Sequence, residues 1–191
     1  MGKGKWIEGS TGIMFNDRIQ ITIFTDGSCS VKDPYKRGGF GVYCICNGKE
    51  TTLRRGYWNT TTSRMEMMAL LNGIQMVDPD VKTYVTVISD SQFIVNAFRK
   101  GHVNSWRRNG WVGIKNSELW KEIVTEIERR RKMVFGMKWI GGHQANLSDD
   151  YIFGNNCADA LADYKSQDCW EQDLPIADTI CKVPEWAMDV F

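Results

Sequence analysis

Four acidic residues stand where the surrounding sequence is apolar or small. Asp26 closes the strand-like run in "ITIFTDGSCS", and Asp90 closes another in "VTVISDSQF". Glu66 lies in the helical stretch "SRMEMMALLNGIQMV", where its i+3, i+4 and i+7 neighbours are Ala69, Leu70 and Gly73. Asp159 is set among Ala158, Leu161 and Ala162. A carboxylate on an apolar stripe is costly unless it is paired or holds a metal. Four that converge cannot all stay ionised without cations. Their hard oxygens suit Mg²⁺ or Mn²⁺, and no Cys/His set competes for a softer ion. Two ions about 3.5–4 Å apart would serve in-line phosphoryl displacement. Singly, each residue has a plainer reading. Asp26 before Gly27 can be a turn residue, Asp90 a helix N-cap, and Glu66 and Asp159 partly exposed helix acids. The joint arrangement is what points to a site.

The elements that would position these residues are legible in order. "RIQITIFT" alternates Ile19, Ile21 and Ile23 on one face with Phe24 on the other, a strand buried on both sides. "GFGVYCIC" and "TTLRRGYW" form a hairpin through Asn47-Gly48. The Met-rich stretch from Ser63 is a helix that stops before Pro79, and "KTYVTVIS" is a fourth strand. A short helix at about 91–99 leads into a basic, Trp-containing excursion at 100–115. "NSELWKEIVTEIERRRK" is an amphipathic helix with Ser117 as N-cap, "MVFGMKWI" a fifth strand and "NNCADALADYKS" a last helix. This order gives an α/β fold, a five-stranded mixed sheet with helices on both faces. Ligands of open α/β sheets gather at strand carboxyl ends, where Asp26 and Asp90 sit in this reading.

The 191 residues fit one domain with extensions: an N-terminal arm (1–17), the domain (18–167), and a C-terminal tail (168–191) that is acidic and carries Trp170, Trp186 and Phe191. The tail either packs back on the domain, docks a partner, or shields the basic surface. A formal net charge of +1 means that attraction to nucleic acid must come from local clustering. The six cysteines lack paired metal-ligand spacing and the density of a disulfide scaffold. "MGKGKWIEGS" has no signal-peptide run and nothing approaches transmembrane length, so a soluble cytoplasmic monomer is expected, nucleoid-associated in a prokaryotic or viral setting.

"FTDGSC", "TTTSRMEMMAL", "ISDSQF", "WIGGH" and "GNNCADALA" resemble, in order and spacing, the signature segments of type 1 ribonuclease H over residues 18–167. The resemblance implies the ribonuclease H-like fold. It also implies an endonuclease that hydrolyses the RNA strand of RNA–DNA hybrids by two-Mg²⁺ catalysis, with Mn²⁺ as a substitute, leaving 5′-phosphate and 3′-hydroxyl ends. Carried over by position, its metal-binding carboxylates are Asp26, Glu66, Asp90 and Asp159, and its mobile-loop histidine is His143. Asp163 is a rival for the fourth ligand, and the "ADALA" match favours Asp159.

Between Asp90 and Glu118 there is no acid, while Arg99, Lys100, Arg107, Arg108 and Lys115 interleave with Trp106 and Trp111. Such a patch suits backbone phosphates, and "SWRRNGWVG" resembles the family's basic handle. The plainer reading is a solvated basic loop with structural tryptophans. Gln92 and Asn155 match hybrid-contacting positions, with helix capping as the alternative. Gly27 and Ser28 beside Asp26, and Thr62, Ser63 and Arg64 ahead of Glu66, complete the substrate candidates. Thr62 and Ser63 depart from the family's Asn/Gln pair, and their shorter hydroxyls put substrate preference in question. "NLSDDYIFG" after His143 reads as a polar loop, with Asp149 and Asp150 as candidate auxiliary ligands. Two rivals differ in class: a hybrid-binding module without turnover, and another nuclease on the same fold. Clustered negative charge near phosphate argues against a pure binder.

Overall fold

The computed structural model describes residues 18–141 and 148–173 of the chain. Its strands are β1 (Ile19–Cys29), β2 (Gly38–Cys46), β3 (Lys49–Trp58), β4 (Thr83–Ser89), β5 (Met133–Trp139) and β6 (Trp170–Gln172). Its α-helices are α1 (Thr62–Gln75), α2 (Gln92–Arg99), α3 (His102–Arg108), α4 (Ser117–Arg129) and α5 (Asp149–Ala162). The sheet order is β5-β4-β1-β2-β3-β6. Only β2 opposes the rest: β1 pairs antiparallel with β2 and β2 with β3, while β1–β4, β4–β5 and β3–β6 are parallel. The β2–β3 hairpin turns at Asn47 and Gly48, both at positive φ (49° and 76°), as a two-residue turn matched to strand twist demands.

The mixed sheet covered by helices stands as expected, with one correction. A sixth strand comes from the tail: Trp170–Gln172 pairs along β3, Gly56 opposite Trp170. Three residues carry no periodicity of their own, and only tertiary pairing reveals them. Two helices also differ. α3 occupies the first half of the basic excursion, and α5 begins at Asp149, within the stretch read as a polar loop. Asp149 and Asp150 form its first turn, where the helix dipole favours acids. The N-cap of α4 is Asn116, at φ 55°, rather than Ser117.

The sheet separates two apolar layers. On one face Ile21, Ile23, Val42, Val85 and Val87 pack against α1 and α4 residues such as Leu70, Ile74, Trp120 and Ile123. On the other, Phe24, Tyr43, Ile88 and Ile140 pack against Ala158 of α5. α5 lies very close to the sheet. A Cβ on Gly41 would come within 2.2 Å of the Ala158 carbonyl, and one on Gly154 within 2.4 Å of the Phe24 ring. Glycine at these two positions is what lets Asp159 approach β1. Among the described residues no helix is long and apolar enough to cross a membrane.

Candidate metal centre

β1 does not end at Asp26. Its parallel pairing with β4 stops at Thr25–Ser89, but its antiparallel pairing with β2 runs on through Asp26–Gly41 to Cys29–Gly38. Asp26 therefore sits where β4 parts from β1, and Asp90 immediately follows the end of β4. The expected terminal Asp-Gly turn is an interior rung of the strand, because β2 continues to supply partners.

Glu66 enters from α1. A Cβ on Gly27 would lie 2.2 Å from the Glu66 amide nitrogen, so only glycine lets the first turn of α1 rest on β1 here. The α1 N-cap is Thr61, whose hydroxyl accepts the Arg64 N–H at 3.3 Å. One carboxylate oxygen from each of Asp26, Glu66 and Asp90 falls within 4.8 Å of the others. Asp159, exposed on α5, shares a hydrogen bond with Asp26. The structure thus brings all four acids together. Asp163 caps the 3₁₀ turn after α5, accepting from the Lys165 N–H at 3.0 Å. Asp149 and Asp150 lie ten and nine residues before Asp159, about 15 and 14 Å along α5 at the helical rise.

Burial disfavours ionisation of Asp26, Glu66 and Asp90. Burial, with Asp26 and Asp90 close by, pushes Glu66 up to about 9. Burial and the charges of Asp90 and Asp159 raise Asp26 to about 7, against a lowering hydrogen bond from the Gly27 amide. Asp90 is raised too, first by burial and then by Asp159. Glu66 Oε2 is buried without a hydrogen-bond partner among the described residues. An orphaned buried carboxylate oxygen inside an all-oxygen donor set fits a hard divalent cation.

This arrangement predicts an inverted pH dependence for stability. A carboxyl whose folded-state pKa is raised favours the native state while protonated, so stability falls as pH rises through its titration. For Glu66 the window runs from its ordinary 4.5 to about 9. In EDTA, Glu66→Gln should stabilise the protein by about 1–2 kcal/mol at the alkaline end and leave it unchanged at the acid end. Urea unfolding at both ends checks this; equal effects at the two would sink it.

The remaining site residues divide by placement. Thr62 and Ser63 are exposed on the first turn of α1 beside Glu66, and Gln92 is exposed at the start of α2, two residues past Asp90. Asn155 lies one turn before Asp159 on α5, half-buried, its Oδ1 without a partner among the described residues. Arg99 and Lys100 are exposed at the end of α2. Arg108 is exposed on α3, and Arg107 forms an ion pair with Glu128 of α4. Trp106 packs on Trp120 at 5.3 Å, and Trp111, at φ 64°, also leans on the main core, so the tryptophans peg the excursion to the body. Ser28 donates from its hydroxyl to the Ala162 carbonyl at 2.5 Å, and the Gly27 amide serves Asp26.

Arg64 is placed differently from its neighbours. It is buried, and its guanidinium grips Asp173, Nε to Oδ2 at 2.7 Å and Nη2 to Oδ1 at 2.8 Å, while also meeting Glu118. It therefore joins α1, α4 and the tail instead of facing outward beside Thr62 and Ser63. His143 lies outside the described residues. The sequence reading missed Trp139, whose indole N–H donates to the Asp90 carbonyl at 3.0 Å and fixes the backbone of a cluster residue. Its position inside the "WIGGH" motif was the available signal.

The RNase H family model matches residues 18–167. The chain belongs to the RNase H family. Ribonuclease H of Trichodesmium erythraeum is 33% identical over 142 residues, covering 72% of this chain and 86% of the relative. Ribonuclease H of Legionella pneumophila (strain Lens) is 32% identical over 149 residues, 75% of this chain and 94% of the relative. Among solved structures, the RNase H domain of the prototype foamy virus superposes with a TM-score of 0.59 at 23% identity, covering 76% of this chain and 93% of that domain. This last likeness concerns the fold. Membership makes the protein a ribonuclease H-type hydrolase and implies divalent-metal dependence, and an acidic cluster is present in the fold.

Proposed function

We propose that this RNase H family member is an endonuclease that hydrolyses the RNA strand of RNA–DNA hybrids, leaving 5′-phosphate and 3′-hydroxyl ends. The observation that carries the reading is the convergence of Asp26 from β1, Asp90 just past β4, and Glu66 and Asp159 from two helices. These four would hold two Mg²⁺ ions, with Mn²⁺ as substitute. When bound, such ions lower the pKa of water and offset charge on the leaving oxygen.

The chain's own residues do the rest. Closeness of the four carboxylates fixes where the scissile phosphate must lie, and the Gly27 amide and the Trp139 indole hold Asp26 and the Asp90 backbone in place. Thr62 and Ser63 ahead of Glu66, Gln92 two residues past Asp90 and Asn155 one turn before Asp159 offer hydroxyls and amides beside the cluster residues in the chain. They suit the 2′-hydroxyl and minor-groove edges by which RNA is told from DNA. His143, in its Gly-flanked loop, would move a proton or help release product. Arg99, Lys100 and Arg108 supply phosphate contacts on the basic excursion, and Trp106 and Trp111 hold that excursion rigid.

The deciding experiment is cleavage of end-labelled RNA in a hybrid, as a single strand, and beside a DNA duplex control, with Mg²⁺ and then EDTA. Hybrid-only, metal-dependent cutting is expected. Tight hybrid binding with no cutting in Mg²⁺ or Mn²⁺ would turn the reading to a binding module.

The Arg107–Glu128 pair also orders the basic residues. Arg108→Ala should weaken hybrid binding and lower the salt slope by about 1, more than Arg107→Ala does. Binding isotherms over a salt series check this, and equal slopes for wild type and the combined Arg107→Ala/Arg108→Ala variant would remove the excursion from the interface.

A further inference from the structure

α5 covers only part of its sheet face. It contacts the face from Phe24 upward, through Gly154 on Phe24, Ala158 at Gly41 and the end of the helix at Gly39. Below Phe24 the side chains on this face come from the rungs Glu50–Ile45–Thr22–Thr86–Gly136 and Gln20–Tyr84–Val134. Tyr84 is 44% exposed and Val134 41%, and on the adjoining first turns of α5 Ile152 is 42% and Phe153 57% exposed. An open cleft of about 450 Å³ runs into this region, lined by Tyr43, Ile45, Tyr151 and Phe153 with the carboxylates of Glu50 and Asp150 at its rim. Exposed aromatic and β-branched side chains on this half-face and the adjoining turns of α5 mark a surface that something covers.

We propose that the occupant is the chain's own N-terminal arm, residues 3–15, folded back over this half-face with Trp6 and Ile7 in the cleft. Three observations choose it. Position is the first: β1 starts at Ile19 in the middle of the sheet's lower end, anchored by its amide to the Lys82 carbonyl and by Arg18 to the Thr83 and Lys132 carbonyls. The opposite face there is already filled, Ile19 and Met133 packing on the main core, so the bare face is the one open to the arm.

Reach is the second. Thr22, at the cleft, is three rungs above Ile19, about 10 Å at the rise of a strand. The twelve residues from Trp6 to Arg18 span up to about 40 Å extended, ample for a reversal and return. The arm also carries matching apolar groups, Ile13, Met14 and Phe15 close in sequence to β1 and Trp6-Ile7 farther along.

Charge is the third. "MGKGKW" sets Lys3 and Lys5 immediately before Trp6, and the cleft presents Glu50 and Asp150, with Lys138 stacked on Tyr151 at 3.9 Å. The other candidate segment, 174–191, has Asp178, Glu185 and Asp189 against Lys182 and would meet like charge there. It also leaves from Asp173 beside Trp58, at the far end of β3.

Zero-length carbodiimide coupling of the full-length protein, followed by peptide mass spectrometry, tests the proposal. Lys3 and Lys5 should couple to Glu50 and Asp150 within one molecule, and these links should be lost in the full-length Trp6→Ala/Ile7→Ala variant. In an equal mixture of heavy-isotope and ordinary protein, links joining heavy to light chains would show that a second copy fills the cleft, and would overturn the proposal. So would lysine links confined to other carboxylates, or links unaffected by the double variant.

Discussion

Asp26→Asn should cut turnover on an RNA–DNA hybrid by about 10³- to 10⁴-fold while leaving hybrid affinity within a few-fold of the wild type. The substitution keeps shape and hydrogen-bonding capacity but removes the charge at the junction of the cluster. Asp26 links the cluster: one of its carboxylate oxygens lies within 4.8 Å of one from Glu66 and one from Asp90, and it hydrogen-bonds Asp159. The acids have been brought together under burial and against their own repulsion, both of which raise Asp26 and Glu66, and that cost is offset only when cations neutralise them. Two measurements separate the loss of a metal ligand from a general defect. Isothermal titration with Mg²⁺ should show the variant's weakened metal binding. Urea unfolding in EDTA should show it as stable as the wild type or more so. A variant that unfolds early would attribute the lost activity to folding, and one that turns over normally would remove Asp26 from the centre.

The acids are readable from sequence because each breaks an apolar pattern, and a pattern break is visible without coordinates. Glu66 interrupts the buried stripe of α1, and Asp159 stands beside the small buried residues Ala158 and Ala162 of α5. What the sequence does not show is how their distances are made small. Gly27 and Gly154 look like turn or breaker residues in a linear reading, which stops β1 at Asp26 and starts the last helix after Gly154, while Gly41 sits inside the second strand without marking anything. In the fold each is a point where two backbones, or a backbone and a ring, come closer than a Cβ permits. α3 is hidden for another reason. Seven residues between Gly101 and a positive-φ turn carry one buried side chain, Val103, too few for a helical period to emerge. β6 has no local signature at all, its strand state coming from the free edge of β3.

That edge carries the other large effect. Asp173→Ala should destabilise the protein by about 3–5 kcal/mol, because it strands a guanidinium in the interior. The Arg64 and Asp173 side chains are 8% and 1% exposed, joined by two parallel N–H donations, and the Thr60 hydroxyl donates to Asp173 Oδ2 at 2.5 Å. Burial works against the Arg64 cation, and hydrogen bonds to Asp173 and Glu118 outweigh it, so Arg64 stays charged. Glu118 cannot replace Asp173, being 62% exposed and screened by water. The Asp173 amide also donates to the Trp58 carbonyl at 3.1 Å, which makes this residue the pin that holds β6 along β3. Since Arg64 is two residues from Glu66 on α1, losing the pin should loosen the turn that presents a cluster carboxylate and weaken Mg²⁺ binding as well as lower the unfolding midpoint. Arg64→Met combined with Asp173→Leu removes both charges together and should recover much of the stability. If Asp173→Ala alone shifts the urea midpoint no more than a surface substitution does, the tail is an ornament on the sheet and not part of what holds α1 in place.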